Sequence, residues 1–312
     1  MTTYRAIAQA LGDEMASRAV GQVVAEAEQD ESWPTHRVIR SDGRVGSEDA
    51  ATIRQLSDDG IRVRDGRVVG FRGRLFEAFE TDHPLRRLQT TQDELVAQVE
   101  RASSVGRIET VAGVDLSYRD PWHGVGAYVQ MDPNGAHVCA ARTAERAINF
   151  PYIPTYLAFR ELPVLLALLK VARDADQMAD VVLVDGTGLL HHRHAGIASH
   201  LGVLMNVPTV GVTKKLLYGD VDIEGMATHE ARWVTDPERS DHRLGAAVKT
   251  TQRAHPIYVS TGHRVDLDTA VELVLRTSSR KLPEPIRRAD QLSREATRQP
   301  TAKSDGQQPL DL

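Results

Sequence analysis

The spacing of apolar and polar positions changes character along this chain, and the changes divide it. From Met1 to about Phe79 short helical stretches precede irregular and strand-like pieces. Tyr4 to Leu11 has helical spacing, Gly12-Asp13 breaks it, and Glu14 to Glu28 resumes it through Ala19, Val20, Val23, Val24 and Ala27. Two helices joined by a tight turn containing glycine are the helix-turn-helix pattern. After Trp33-Pro34, His36-Arg37-Val38-Ile39 alternates as a strand does and ends in the turn signal Ser41-Asp42-Gly43. Arg67 to Phe71 reads as another short strand.

Around Thr81-Asp82-His83-Pro84 the pattern resets, which places a boundary between a domain over 1–82 and a larger one over 84–286. The larger one opens with a predicted helix over 88–105, followed by strands over 109–118, 124–130 and 137–141. An apolar helix is predicted over 159–171. Val181 to Val184 is a continuous apolar run, the mark of a strand buried on both faces. A helix over 194–204, a strand over 209–213 and a helix over 265–276 complete the pattern. Strands first, then helices alternating with buried strands, indicate an α/β domain around a mixed sheet. From about Arg287 the sequence is polar, and a disordered tail over 287–312 is expected.

Composition narrows the class without naming a function. The 312 residues are 41% hydrophobic and 26% charged, as in soluble globular proteins. No apolar run approaches the roughly 20 residues that cross a bilayer; the best, Leu162 to Leu169, is short and contains Pro163. Met1 to Leu11 lacks the basic and apolar regions of a secretory signal, so a cytoplasmic protein without membrane partners is expected. The single cysteine, Cys139, excludes an internal disulfide and a Cys-rich zinc site, and its apolar strand suggests a buried core residue. A net charge of −5 argues against a basic nucleic-acid coater but leaves room for a local basic patch.

Three acids stand where a sheet could present them together. Asp115 interrupts the strand-like run Val111 to Tyr118, Asp185 ends the apolar run at Val184, and Glu161 sits in the first turns of an apolar helix. Charge at such places costs free energy unless it is paired. A hard cation with oxygen ligands supplies that pairing, and Mg²⁺ favours one or two carboxylates plus waters and phosphate oxygens. The plainer reading gives each acid a helix cap or an arginine.

The surroundings of these acids follow one order: Ala112-Gly113-Val114-Asp115, Pro151-Tyr152-Ile153-Pro154, Phe159-Arg160-Glu161, Val184-Asp185-Gly186-Thr187-Gly188, and Gly211-Val212-Thr213-Lys214. Together with Ser260-Thr261-Gly262-His263-Arg264 and Leu282-Pro283-Glu284-Pro285, they resemble the motif series of endonuclease V across some 200 residues. The resemblance implies a ribonuclease H-like mixed sheet flanked by helices, with Asp115, Glu161 and Asp185 around Mg²⁺ (Mn²⁺ as a substitute). It implies His263 near that centre and Lys214 near the scissile phosphate. Pro151, Tyr152, Ile153 and Pro154 match the family's wedge, in which a proline-stiffened ring enters the base stack. A Tyr in an ordinary turn is the plain alternative. Leu157, Gly186, Ile197 and Gly211, with Thr155, match the pocket for an extruded base, where hypoxanthine is distinguished by its O6 and N1–H. Thr155 departs from the family's usual glycine. In His191-His192-Arg193-His194, His191 is kept as a substrate contact, and His194 replaces an arginine that faces phosphate. That exchange makes strand affinity sensitive to pH.

The first domain carries a second resemblance. Thr3 to Ala8, Ser17 to Gly21 and Pro34-Thr35-His36-Arg37-Val38-Ile39-Arg40-Ser41-Asp42-Gly43 look like the DNA-binding domain of O6-alkylguanine-DNA alkyltransferases, a small helix-turn-helix of winged-helix type. Thr35 stands at that family's cysteine nucleophile, with His36 and Arg37 retained after it. A threonine hydroxyl has neither the low pKa nor the nucleophilicity of a thiolate, so the domain is similar to the non-catalytic alkyltransferase-like proteins. Tyr4 matches a residue that crowds a phosphate, and Arg18 one that fills the space of a flipped base. Alkylated DNA is the partner this implies, and a helix-turn-helix that holds DNA without sensing lesions is the alternative. Gln307 to Leu312 is similar to sliding-clamp-binding peptides, a short motif with many chance matches.

Taken together the sequence predicts a DNA repair endonuclease acting beside deaminated bases, with a damage-sensing first domain. An inosine-specific endoribonuclease and a non-enzymatic protein that binds alkyl lesions are the alternatives.

Overall fold

Thr3 opens the first helix, its Oγ1 accepting the Ala6 N–H at 3.0 Å, and Gly12 closes it in the left-handed region at φ 105°. The computed structural model describes residues 1–27, 33–102 and 105–299. They fall into two compact units, the described residues within 1–91 with 151–156, and those within 92–150 with 157–299.

In the first unit β1 (Thr2–Thr3) leads into α1 (Tyr4–Leu11), a 3-10 turn (Glu14–Ala16) and α2 (Ser17–Ala27). Ala6 and Ala8 of α1, Ala16 of the turn, and Ala19 and Val20 of α2 are buried. β2 (Val38–Ile39) pairs in parallel with β1, and α3 (Ala50–Asp58) starts from Asp49, whose carboxylate accepts the Thr52 N–H at 2.8 Å. β3 (Val63–Arg64) and β4 (Arg67–Val68) make a hairpin across Asp65-Gly66, both at positive φ as a tight primed turn requires. Ile39, Val45, Leu56, Ile61 and Val68 share one core. The strand expected over 67–71 stops at Val68, because Phe71–Arg74 turn into a 3-10 helix. α4 (Pro84–Val96) begins earlier and ends sooner than the predicted 88–105, with proline at its first position.

The second unit is built on one mixed sheet. β5 (Val111–Asp120), β6 (His123–Met131) and β7 (Val138–Ala147) form an antiparallel meander. Next come α5 (Leu157–Asp174), β8 (Val181–Asp185), α6 (Ile197–Met205) and β9 (Thr209–Thr213). β10 (Ala231–Asp236), β11 (Arg239–Val248), β12 (Ile257–His263), α7 (Leu267–Thr277) and α8 (Glu284–Arg298) follow. The strand order is β10-β11-β12-β9-β8-β5-β6-β7, with β5, β8 and β9 parallel. Val182 and Val184 join one core with residues of α5 and α6, while Val181 and Leu183 join another with residues of α7. β8 is therefore covered on both faces, as its unbroken apolar run predicts. Among the described residues no helix is long and apolar enough to cross a membrane.

Three sequence expectations change here. The expected tail over 287–312 is instead helical as far as Arg298: Ile286, Ala289 and Ser293 are buried at helical spacing while Arg288, Gln291, Arg294 and Glu295 face solvent. A narrow apolar stripe on a polar helix vanishes when composition is averaged. Residues 300–312, including the clamp-like Gln307 to Leu312, lie outside the described residues. Cys139 is exposed rather than buried, because β7 is the edge strand of the sheet. Finally, β10, β11 and β12 extend the sheet where no strand is predicted. β11 opens with the charged Arg239 to Arg243, and only Leu244 to Val248 are buried.

α8 lies along β5. A Cβ on Gly113 would stand 2.1 Å from the Pro285 carbonyl carbon, so only glycine admits the helix start. At its other end Arg119 donates to the carbonyls of Ala296 (3.1 Å), Thr297 (2.7 Å) and Gln299 (2.6 Å), and pairs with Glu145 at 2.9 Å. These carbonyls are the ones a helix end leaves unsatisfied. Gly113→Ala is expected to push α8 off β5 and cost about 1–3 kcal/mol, the range for overpacking a filled contact, read as a lower urea midpoint with unchanged slope.

Candidate active site

Parallel pairing aligns Val114 of β5 with Val184 of β8, so Asp115 and Asp185 follow side by side. Neighbouring strands lie about 4.8 Å apart, close enough for two carboxylates to repel strongly. Ser293 of α8, fully buried, donates to Asp115 Oδ2 at 3.0 Å. Lys214, directly after β9, places Nζ 3.2 Å from Asp185 Oδ2. Glu161, in the second turn of α5, accepts from the Tyr118 hydroxyl at 2.6 Å. Tyr118 in turn accepts from Arg160 Nε at 3.2 Å, and the guanidinium lies 4.8 Å over its ring. Arg160 is buried and also donates to the carbonyls of Pro121 (2.6 Å) and Phe150.

Burial, reinforced by the charge of Asp185, pushes the Asp115 carboxyl up to about 7, against the opposing Ser293 hydrogen bond. Asp290 and Glu161 add further negative potential there. Burial likewise pushes Glu161 up to about 7; the Tyr118 hydrogen bond opposes the shift, and the Asp185 charge adds to it. The site is thus short of positive charge. Among the described residues no three His, Cys, Asp or Glu side chains are arranged to hold one metal ion, and the carboxylates engage Ser293, Lys214 and Tyr118 instead. Two adjacent aspartates are nonetheless the donor set that Mg²⁺ accepts, the remainder being water and phosphate oxygen. The residues present fit such an ion.

Asp115, Glu161, Asp185 and Lys214 are therefore brought together, but His263 is not. It pairs with Thr209 at the opening of β9, whereas Lys214 lies past the other end. At roughly 3.3 Å per residue the two ends are about 13 Å apart. His263 is buried, and its Nδ1 accepts the Glu100 N–H at 3.2 Å. His191 is also buried, with Nδ1 accepting the Arg193 N–H at 3.2 Å, so it organises its own loop. Gly186, Ile197 and Gly211, expected to line a base pocket, do meet: a Cβ on Gly186 would stand 2.3 Å from Ile197 Cγ2, and one on Gly211 2.7 Å from Gly186 O. Leu157, the first residue of α5, is half-buried.

Tyr152 is 52% exposed while Ile153 beside it is buried. Residues 151–156 group with the first unit, where the Tyr156 hydroxyl donates to Asp13 at 2.6 Å and accepts from Gln89 at 2.7 Å. Thr155 stands at φ 68°, a left-handed conformation that suits glycine and strains a β-branched residue. Elsewhere in the first unit, Arg18 is exposed and Tyr4 and Thr35 are half-buried. His36 Nε2 and the Arg37 guanidinium both bind Asp59, at 2.9 Å and at 2.6–2.7 Å, and hold its carboxyl down to about 2.

Tyr118, Arg160, Asp290 and Ser293 are the site residues that sequence reasoning misses. Arg160 stands inside the motif Phe159-Arg160-Glu161, and a charged residue directly before Glu161 in an otherwise apolar helix was the available signal. The other three act across 43 or more residues of chain, where spacing says nothing.

Residues 93–291 match the family model "Endonuclease V", and residues 1–57 match "6-O-methylguanine DNA methyltransferase, DNA binding domain". An endonuclease V of Gloeobacter violaceus is 41% identical over 206 residues, 65% of this chain and 82% of that protein. A bifunctional methyltransferase/endonuclease of Picrophilus torridus is 30% identical over 290 residues, 92% of this chain and 88% of that one. Among solved structures, Ciona intestinalis endonuclease V, bound to a 24mer DNA containing an inosine followed by a ribo-adenosine, is 28% identical at a TM-score of 0.63. It covers 70% of this chain and 99% of that one.

The raised carboxyls have a sign that can be checked. Between the usual carboxylate range near 4 and about 7, the folded protein holds protons that the unfolded chain has lost, so their burial costs nothing at pH 4 and its full amount above pH 7. In metal-free protein Asp115→Asn should raise the melting temperature at pH 8, and the gain should vanish as pH falls to 4. An equal gain at both pH values would contradict the burial of a charged Asp115.

Proposed function

The chain belongs to the endonuclease V family, and from that premise we propose that it nicks DNA beside deoxyinosine with a divalent cation, Mg²⁺ with Mn²⁺ as a substitute. The observation that carries this reading is the side-by-side placement of Asp115 and Asp185, with Glu161 and Lys214 beside them. Asp115 and Asp185 are the pair to hold the cation, with Glu161 the third acid beside them, which would have to leave Tyr118 to join as a ligand. When bound, it supplies Lewis-acid polarisation of a phosphoryl oxygen and a water of lowered pKa.

The chain's own residues do the rest. Lys214, half-exposed and paired with Asp185, is free to swing its ammonium towards the phosphate and offset the charge that develops there. Tyr118 and Arg160 fix the orientation of Glu161. Tyr152 is exposed and held between prolines, as a wedge entering the space of an extruded base must be. Gly186, Ile197 and Gly211, with Leu157, form the proposed pocket, whose backbone groups read O6 and N1–H of hypoxanthine. The proposed cut is at the second phosphodiester 3′ to the altered base, leaving 3′-hydroxyl and 5′-phosphate ends.

For the first unit we propose binding of alkylated DNA without alkyl transfer. Thr35 offers no thiolate, and the exposed Cys139 belongs to the other unit. Its helix-turn-helix favours DNA as the substrate of the whole chain. The ribo-adenosine after inosine in the Ciona complex keeps inosine-containing RNA as the second reading.

The test is a labelled duplex with one deoxyinosine, incubated with Mg²⁺ or with EDTA, beside a duplex carrying O6-methylguanine and a single strand with inosine in RNA. Nicking 3′ of deoxyinosine in Mg²⁺ alone is expected, lost in Asp185→Ala with binding kept. The O6-methylguanine duplex should be bound but keep its methyl group. Cleavage confined to RNA would replace the first reading with the second, and methyl transfer would refute the account of Thr35.

A further inference from the structure

Ser293 is fully buried on α8, and three polar groups surround its hydroxyl: Asp115 Oδ2 at 3.0 Å, the Asp290 carbonyl at 3.0 Å and the Ser117 hydroxyl at 2.8 Å. A hydroxyl has one proton to donate. With Ser117 donating to it, Ser293 spends that proton on either Asp115 or the Asp290 carbonyl. The charged oxygen is the stronger acceptor. Ser117 and Asp115 point the same way from β5, because residues two apart share a face of a strand. Gly113 and Arg119 complete that face and clamp the two ends of α8 against it. Ser293 is therefore held by the packing of a whole helix.

We propose that Ser293, oriented by Ser117, is the positioning residue that fixes the Asp115 carboxylate for divalent-cation binding. This rests on the nuclease reading above. One Asp115 oxygen is tied to α8, which leaves the carboxylate a single orientation beside Asp185 and removes the rotational freedom it would lose on taking up an ion. Groups that orient a metal ligand in this way change metal affinity or activity by about 10- to 100-fold when removed. Asp290, one helical turn before Ser293, pairs with Arg294 at 2.8 Å and adds its negative charge to the same neighbourhood.

Mn²⁺ binding to the full chain without DNA, measured by calorimetry, tests this alongside the Mg²⁺ concentration for half-maximal nicking and the melting temperature. Ser293→Ala should weaken Mn²⁺ binding about tenfold and raise the Mg²⁺ requirement to match, with KM for the inosine duplex unchanged. Ser117→Ala should shift both in the same direction by less. Should Ser293→Ala not fold, Ser117→Ala alone decides. Wild-type metal affinity in the folded variant, whatever happens to its rate, overturns the assignment while leaving the nuclease reading intact. A wild-type chain that neither binds Mn²⁺ nor nicks overturns both.

Discussion

Two carboxylates side by side on neighbouring parallel strands repel one another, and burial strengthens the repulsion. That constraint sits at the centre of the second unit. Register forces Asp115 and Asp185 together, because β5 and β8 are paired residue by residue up to Val114 and Val184. Neither strand can slip without turning its apolar residues out of the two cores that cover β8. The fold therefore stores an electrostatic cost that the rest of the sheet holds in place, as functional sites often do. Lys214, just past β9, relieves part of it, and a cation held between the two aspartates would relieve the remainder.

The supporting groups arrive from both faces of the sheet. On one side Arg160, buried in α5, holds Tyr118, and Tyr118 holds Glu161. On the other, α8 brings Ser293 to Asp115, and the helix stays there because Gly113 admits it and Arg119 binds its last carbonyls. Each carboxylate thus has its own neutral or cationic partner, so none depends on solvent for its orientation. Prepared orientation of this kind is what electrostatic catalysis of phosphodiester cleavage requires.

How much of this the sequence showed follows from the range of each interaction. The β8 strand was legible because four apolar residues in a row have few other uses, and Asp115, Asp185 and Lys214 because short motifs around them keep their order. α1 was legible to the residue, since a helix, its cap and Gly12 are all local. His263 misled: its motif matches in order along the chain, yet antiparallel pairing with β9 carries it to the wrong end of the strand. α8 was hidden by averaging, although Ile286, Ala289 and Ser293 mark its buried stripe once read at helical spacing. Tyr118 and Ser293 could not be found by spacing, because their partners are 43 and 178 residues away. Cys139 looked buried from its neighbours, and only the strand order reveals an edge.

A divalent cation that relieves the Asp115–Asp185 repulsion should stabilise the fold, and thermal unfolding with added Mg²⁺ measures this without any substrate. A ligand that binds only the folded state at 100 times its Kd adds about 2.7 kcal/mol of stability. At pH 8 the wild-type melting temperature should climb steadily with Mg²⁺. With Asp185→Asn, which keeps the shape but removes one charge, the climb should all but disappear. An equal rise in both proteins, or none in the wild type, would contradict the account.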